Sequence, residues 1–505
     1  MSLLTFVLCL IALVTFLLLF VRKLLTPLVP VKGTTNILGP KGGRRWPIIG
    51  DGLWFANIAD TKDLWDRVEK LFQSREKIGC LWLGSKLSIW ISDAEIAKKL
   101  IDSKKCPRKE EEFYSSFSYI SDGVFSTTNP SRWPKLRQSL DKFLLPKMMD
   151  DHMVVFADKA QVTCDKIQRI CGEGVFELKN VIEYYTLDLI LHIFLGTPGN
   201  QQLEDTMHLT KTIPKVLECA FLRILQPIYR ISWIFNSSPL GKETNRMVEC
   251  LKSPMRKIVN ECLKEMEDRG YTRNDPDFEP QNYLEALIDF EIQQNSEEKM
   301  DTSIIDLITA GFDTTGVAIS ATILFLAMHP EYQEKAYQEQ LSLMGSSFNA
   351  PNRAELSRME YLEMIFLETL RKVMPPSVLR TVSSEIEIDG YVFPEGATVF
   401  FCLNKIANDP QYWENPKSFY PDHFLPEKVA KRPSYAFMPF AFGSRGCPGR
   451  RFGMMSSMVV LSMLLRRFRF TTPLQFNQLN YKYMLMVESI DGYPVEATPR
   501  PIATI

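Results

Sequence analysis

The run Phe440-Ala-Phe-Gly-Ser-Arg-Gly-Cys-Pro-Gly449 sets Cys447 among small residues, two positions after Arg445. The aromatic stretch Tyr435-Ala-Phe-Met-Pro-Phe440 leads into it, and a helix-like run from Arg451 to Arg467 follows. Glycine lets a backbone approach a flat ligand or take positive φ at little cost, and Gly443, Gly446 and Gly449 supply that freedom around the cysteine. A thiolate at the start of a helix is stabilised by the helix dipole and by nearby positive charge. Arg445, Arg450 and Arg451 bring the charge. Such a thiolate can serve as the axial ligand of a haem iron. The plainer alternative is a buried thiol in a glycine-rich turn, since free cysteine mostly behaves as a small hydrophobe.

Working outward, the whole chain of 505 residues carries 59 basic and 60 acidic side chains, a net charge of −1. That balance offers no global field for nucleic acid. Length alone would suggest about three domains, but no shift in composition divides the chain. Ten cysteines are scattered without a C-x-x-C pair, so neither a disulfide framework nor a zinc site is indicated. They read as reduced thiols facing the cytosol.

Leu3 to Val21 is almost continuously apolar and is followed at once by Arg22 and Lys23. Its length suffices for a membrane-spanning helix, and the flanking charge puts the C-terminal side in the cytosol. The charge stands after the apolar run and no small-residue cleavage site follows, which favours an uncleaved anchor over a signal peptide. Pro27 to Gly52 is a Pro/Gly-rich connector. Ile78 to Ser92 reads as a β-hairpin turning at Gly84-Ser85-Lys86, with Asp93 capping a helix. Trp133 and Arg137, four apart, share a helix face. Asp151 to Glu298 is mostly helical.

Met300 to Met328 is a long apolar helix interrupted by Ala310-Gly-Phe-Asp-Thr-Thr315. Gly311 costs such a helix about 1 kcal/mol relative to alanine, and a buried Asp313 costs more unless paired. Glu368 and Arg371 can pair at i, i+3. The strand-like segment beyond Pro375-Pro376 carries Arg380, and His423 lies in Tyr420-Pro-Asp-His-Phe424.

Taken together these motifs resemble the cytochrome P450 superfamily. Phe440, Gly443, Arg445, Cys447 and Gly449 match every fixed position of its haem-binding signature, F-x-x-G-x-R-x-C-x-G. Ala310 to Thr315 matches [AG]-G-x-[DE]-T-[ST], and W-x-x-x-R and E-x-x-R follow the family order. The resemblance implies a mainly α fold with a smaller β-rich part and a single N-terminal transmembrane helix. Residues 1–23 would be the anchor, 24–52 the hinge and 53–505 a haem-thiolate monooxygenase domain. It further implies that Cys447 ligates the iron of a haem b group and that Ala310 and Gly311 clear space for O2. Asp313 and Thr314 would relay protons, and Trp133, Arg137, Arg380 and Arg445 would bind the haem propionates. Tyr114, Phe117, Tyr119 and Phe125 form a candidate lining for an apolar substrate, while Leu217 to Phe235 would roof the pocket and touch the membrane.

Residues 424–427 and 432–440 resemble the animal clan that includes fatty-acid omega-hydroxylases. Many of its members carry, where Ala310 stands, a Glu that tethers haem covalently. Ala310 therefore implies non-covalent haem and weakens any inference to terminal hydroxylation. No flavin or nicotinamide motif is visible, so electrons would come from NADPH–cytochrome P450 reductase, with cytochrome b5 as a second donor. Docking is expected on a basic face near Arg132, Lys135, Arg450 and Arg451, at the endoplasmic reticulum membrane. Two other readings are a peroxide-using rearrangement catalyst of the same fold, which tends to lose the acid–alcohol pair, and a non-enzymatic haem or ligand carrier. One position departs from the family: P-x-R-F has His423 for its arginine, which predicts a weaker brace with Glu368 and Arg371 and easier haem loss at low pH.

Overall fold

Met300 to Met328 forms one helix of 29 residues in the computed structural model, about 43 Å long at 1.5 Å per residue. It is apolar on every side, which suits a helix surrounded by protein, and most of its side chains from Ile304 to Ala327 are buried. The structure describes residues 14–19, 21, 50–55, 58–71, 77–83, 86–273 and 277–501. Around the central helix lie Lys179–Leu195, Glu360–Val373 and Arg450–Arg467. Pro330 opens the next helix, Pro330–Met344, because its missing N–H costs nothing in a first turn.

The closest packing is with Lys179–Leu195, and small residues permit it. A Cβ on Gly311 would come within 2.5 Å of Ile190 Cδ1, and one on Gly316 within 3.2 Å of Glu183 Cγ. Ile190 packs into the room left by the missing side chain of Gly311, which also borders an internal cavity together with Ala310.

The β part is a five-stranded sheet in the order Ile78–Leu83, Lys86–Ile91, Thr398–Phe401, Val378–Thr381, Arg108–Lys109. The first two strands pair as the expected hairpin, in register from Ile78↔Ile91 to Leu83↔Lys86. The second runs parallel to Thr398–Phe401, and the other pairings are antiparallel. Asp93 caps Ala94–Asp102 by accepting from the Glu95 and Ile96 N–H groups. The helical core and the sheet core form separate apolar clusters. They meet beside the loop that carries Cys447, where Phe437 packs against both.

Most of the apolar 3–21 segment, and the connector up to residue 49, lie outside the described residues; 14–19 and 21 are helical and exposed. Glu297–Met328 is also long and apolar enough to cross a membrane, but 78% of its most apolar window is buried within the protein, as befits a core helix. All nine described cysteines are free thiols.

Candidate active site

The loop before Arg450–Arg467 is shaped by two left-handed residues, Ala441 (φ 54°) and Gly443 (φ 63°). Gly443 explains one of the three glycines by backbone freedom; Ala441 holds the same region without that excuse, a strained conformation kept by its surroundings. A 3-10 turn, Gly443–Arg445, follows, and the Cys447 N–H donates to the Phe440 carbonyl at 2.8 Å. This ties the ends of the loop together and leaves Cys447 just ahead of the helix, with Gly449 as its cap residue. The exposed surface of Cys447 opens into an internal cavity, while protein crowds its other sides. Burial raises the thiol pKa, and the Gly449 N–H and Arg137 only partly oppose it. The helix dipole and the arginines alone therefore do not ionise Cys447; a metal ion bound to the sulfur would.

The cavity runs from Cys447 to Thr314, with Ala310 and Thr314 of the central helix on one wall. Trp133, Arg137, Arg380, Phe440, Arg445 and Gly449 also line it, so the residues expected around a cofactor converge from four separate segments. Arg445 stacks over Trp133 with its guanidinium carbon 3.7 Å from the ring centroid. Arg137 pairs with Asp141 at 2.8 Å and donates to the Gly446 carbonyl at 2.8 Å. Arg380 is buried and donates to the Leu379 carbonyl at 2.9 Å.

Sequence reasoning missed a fourth cation. Lys109 is buried at the cavity wall, donates to the Phe125 carbonyl, and lies 4.3 Å from the Tyr114 ring centroid and 4.5 Å from that of Phe125. It opens the acidic run Glu110-Glu-Glu112 and looks like part of a solvated face. Only its strand pairing opposite Arg380 turns it inward.

These cations repel one another. Burial and then Arg380 lower Arg445 to about 10, and burial, Arg380 and Arg445 hold Lys109 well below its ordinary range, with Asp306 pulling the other way. Among the described residues, buried Arg445 Nη1 finds no hydrogen-bond partner. An orphaned guanidinium nitrogen amid excess positive charge calls for an anion. A flat group with two carboxylates at one edge and a metal reaching a thiolate fits this donor set; haem is such a group.

Thr314 and Asp313 point in different directions. The Thr314 hydroxyl donates to the Ala310 carbonyl at 2.8 Å, leaving its lone pairs free on the cavity side of the helix. Asp313 is buried and does not line the cavity. Its Oδ1 lies 4.0 Å from Lys179 Nζ, which also meets Glu488 at 2.9 Å and Glu183 at 3.4 Å. Burial raises Asp313 to about 6 against the pull of Lys179, and raises Glu183 to about 8. Burial would lower Lys179, but its three carboxylate neighbours overcome that and hold it well above its ordinary value.

Behind the cysteine loop, Glu368 and Arg371 are fully buried and pair through two bonds of 2.8 and 2.6 Å. Arg371 also donates to the carbonyls of Ala407, Pro416 and Ser418. His423 occupies the expected third position: Nδ1 is 3.1 Å from Glu368 Oε2 and Nε2 is 2.5 Å from the Glu414 carbonyl. A 3-10 turn, Pro421–Phe424, carries the shorter side chain into range.

Two expectations about surfaces change. Arg132 is no part of an open basic face: it is 7% exposed and makes a two-pronged ion pair with the fully buried Glu291, because it faces the helix Tyr283–Gln293 rather than solvent. Lys135, Arg450 and Arg451 are exposed. Of the four candidate lining aromatics, Tyr114, Phe117 and Phe125 reach the cavity. Tyr119 instead packs against Phe235 beneath Arg223.

Fold and site together define a class, proteins that hold haem through a cysteine sulfur. The chain belongs to the cytochrome P450 family, whose sequence model matches residues 40–490, and it is a cytochrome P450 monooxygenase. It is 27% identical to "Cytochrome P450 4c21" of Blattella germanica over 85% of this chain and 87% of that one. It is 24% identical to human "Cytochrome P450 4V2" over 90% and 88%, and 26% identical to human "Cytochrome P450 4X1" over 81% and 82%. These likenesses fit the resemblance to the animal clan read from residues 424–440.

Proposed function

We propose that this chain inserts one oxygen atom of O2 into an apolar small molecule, a lipid, steroid or xenobiotic, with electrons from NADPH through cytochrome P450 reductase and with cytochrome b5 as a second donor. The observation that carries the reading is the placement of Cys447 and Thr314 on walls of one cavity whose edge is cationic. Haem b, bound without a covalent tether beyond the Cys447 sulfur, would supply the O–O cleavage and the oxidation of the substrate. Trp133, Arg137, Arg380 and Arg445, joined by Lys109, would hold its carboxylates; Phe440 and Gly449 shape the loop that presents the sulfur. Thr314 holds a hydroxyl at the cavity, and Asp313, the residue before it, would pass it a proton. A pKa raised to about 6 keeps that carboxyl able both to bind and to release a proton near neutral pH.

Residues 1–23 would anchor the chain in the endoplasmic reticulum membrane with 24–52 as hinge and the domain 53–505 in the cytosol. Ile228 and Trp233, 57% and 70% exposed, and the exposed Ile231 give the domain an apolar patch for the bilayer surface. Lys135, Arg450 and Arg451 remain as a basic docking face for the reductase.

The reduced carbon-monoxide difference spectrum tests the reading. The parent should give the thiolate-ligated absorbance and Cys447→Ser should abolish it; its absence from the parent would sink the proposal. With reductase present, Thr314→Ala should keep NADPH consumption but divert roughly ten-fold more of it from product to peroxide or water. Unchanged coupling would remove Thr314 from the relay.

A further inference from the structure

Two hydroxyls meet at the cavity wall. Ser377 stands just ahead of the strand Val378–Thr381, and Tyr483 closes the strand Tyr481–Tyr483. Both line the cavity, and their oxygens are 2.5 Å apart. Each hydroxyl carries one hydrogen, and a bond between the two consumes one. One O–H therefore remains to be placed whichever residue donates. Among the described residues neither side chain makes another hydrogen bond. Burial raises the Tyr483 phenol above its ordinary pKa, so it stays an O–H donor.

The surroundings make the pair conspicuous. Phe221 meets the Tyr483 ring edge-on at 6.1 Å, Phe117 in turn meets Phe221 at 5.7 Å, and Leu379 and Leu485 also line this cavity. A wall meant only for hydrocarbon would gain nothing from a hydroxyl with a spare hydrogen, because an unmet polar group in an apolar setting is costly. The Tyr481–Tyr483 hairpin and the segment after Pro376 reach this point from distant parts of the chain.

We propose that Ser377 and Tyr483 form a polar anchor that donates a hydrogen bond to one neutral oxygen of an otherwise apolar substrate, an alcohol, ketone or ester carbonyl, and so fixes its orientation in the cavity. The anchor carries no charge of its own. A carboxylate held there would be a desolvated charge on a single O–H, which a neutral oxygen is not. The inference rests on the reading of this cavity as the substrate site of a haem-thiolate monooxygenase. The carbon-monoxide spectrum tests that reading separately, and a variant enters the comparison only if it gives that spectrum.

The test titrates the haem-loaded full chain with dodecane, lauryl alcohol, the methyl ketone of the same length and laurate, reading dissociation constants by equilibrium dialysis. Tyr483→Phe keeps the ring and removes the hydroxyl. It should weaken the alcohol and the ketone about tenfold while changing dodecane by less than about twofold. Ser377→Ala leaves the aromatic packing untouched and serves if Tyr483→Phe fails to load haem. It should weaken the alcohol about threefold relative to dodecane, because the hydroxyl chain polarises its terminal donor. Equal losses for dodecane and the alcohol would make the pair mere packing and overturn the proposal. So would unchanged alcohol binding in the variants, and so would a loss confined to laurate, which would mark an anionic subsite.

Discussion

Behind the cysteine loop, Glu368 divides its two oxygens among Arg371, His423 and the Tyr420 N–H, and Arg371 spends its remaining donors on backbone carbonyls and the Asn408 side chain. Behind the central helix, Asp313, Glu183 and Glu488 crowd around Lys179, with Lys482 3.6 Å from Glu488. There, among the described residues, Asp313 Oδ2, Glu183 Oε1 and the Tyr493 hydroxyl are buried without a hydrogen-bond partner. Both clusters are buried and ionic, yet one is satisfied and the other is not. A satisfied network fixes one geometry; in the half-satisfied one, burial raises Asp313 and Glu183 toward the neutral pH range. The first suits a brace that must hold a ligand loop still. The second would suit the proposed proton-exchanging role of Asp313, which lies one residue from Thr314.

The largest effect that can break this contrast is in the brace. Glu368→Gln leaves the Arg371 charge in a fully buried site with no counter-charge, and breaking such a pair costs about 3–5 kcal/mol. We expect loss of the thiolate-ligated spectrum and of folded protein by thermal melt. A variant that melts like the parent would show that the backbone carbonyls around Arg371 suffice alone.

The half-satisfied cluster should respond in the opposite sense. Glu183 has its carboxyl raised from 4.5 to about 8 by burial. The folded state therefore binds a proton that the unfolded state releases. That contribution is complete below about pH 4.5 and is lost as pH rises through about 8. Glu183→Gln removes the titration. Chemical denaturation should find the variant close to the parent at pH 5 and more stable at pH 9, by on the order of a few kcal/mol. A variant less stable than the parent at pH 9 would show that Glu183 is a net favourable partner of Lys179.

The same contrast explains what the sequence could reveal. Glu368 and Arg371 stand three apart on one helix, so their pairing is a local fact, and Cys447 is announced by five residues within ten positions. Lys179 and Glu488 are 309 positions apart, and nothing in either neighbourhood points to the other. Arg132 sits at the start of a helix like any surface cation, and only Glu291 across the fold buries it. Gly311 was legible as a small residue on a core helix; the element it admits, Ile190, was not. Chemistry carried by local spacing could be read, and direction set by tertiary packing could not.

The smallest expected effect concerns His423. Both ring nitrogens face groups that only accept, the Glu368 carboxylate and the Glu414 carbonyl. A neutral imidazole can donate to only one of them. Acid acts on the brace through Glu368. Burial raises its pKa, but Arg371 and His423 outweigh burial and hold it below the ordinary glutamate value. Its contribution is present above about pH 4.5 and is lost only as pH falls through that lowered value. His423→Arg, which restores a permanent charge with more donors, should therefore change haem retention little between pH 5 and 7, by less than about 1 kcal/mol. His423→Phe should cost about 1–3 kcal/mol by leaving the Glu414 carbonyl unmet. Haem loss followed by absorbance across that range decides the matter: faster loss from the parent than from His423→Arg at pH 5 would mean that the histidine fails where the arginine holds.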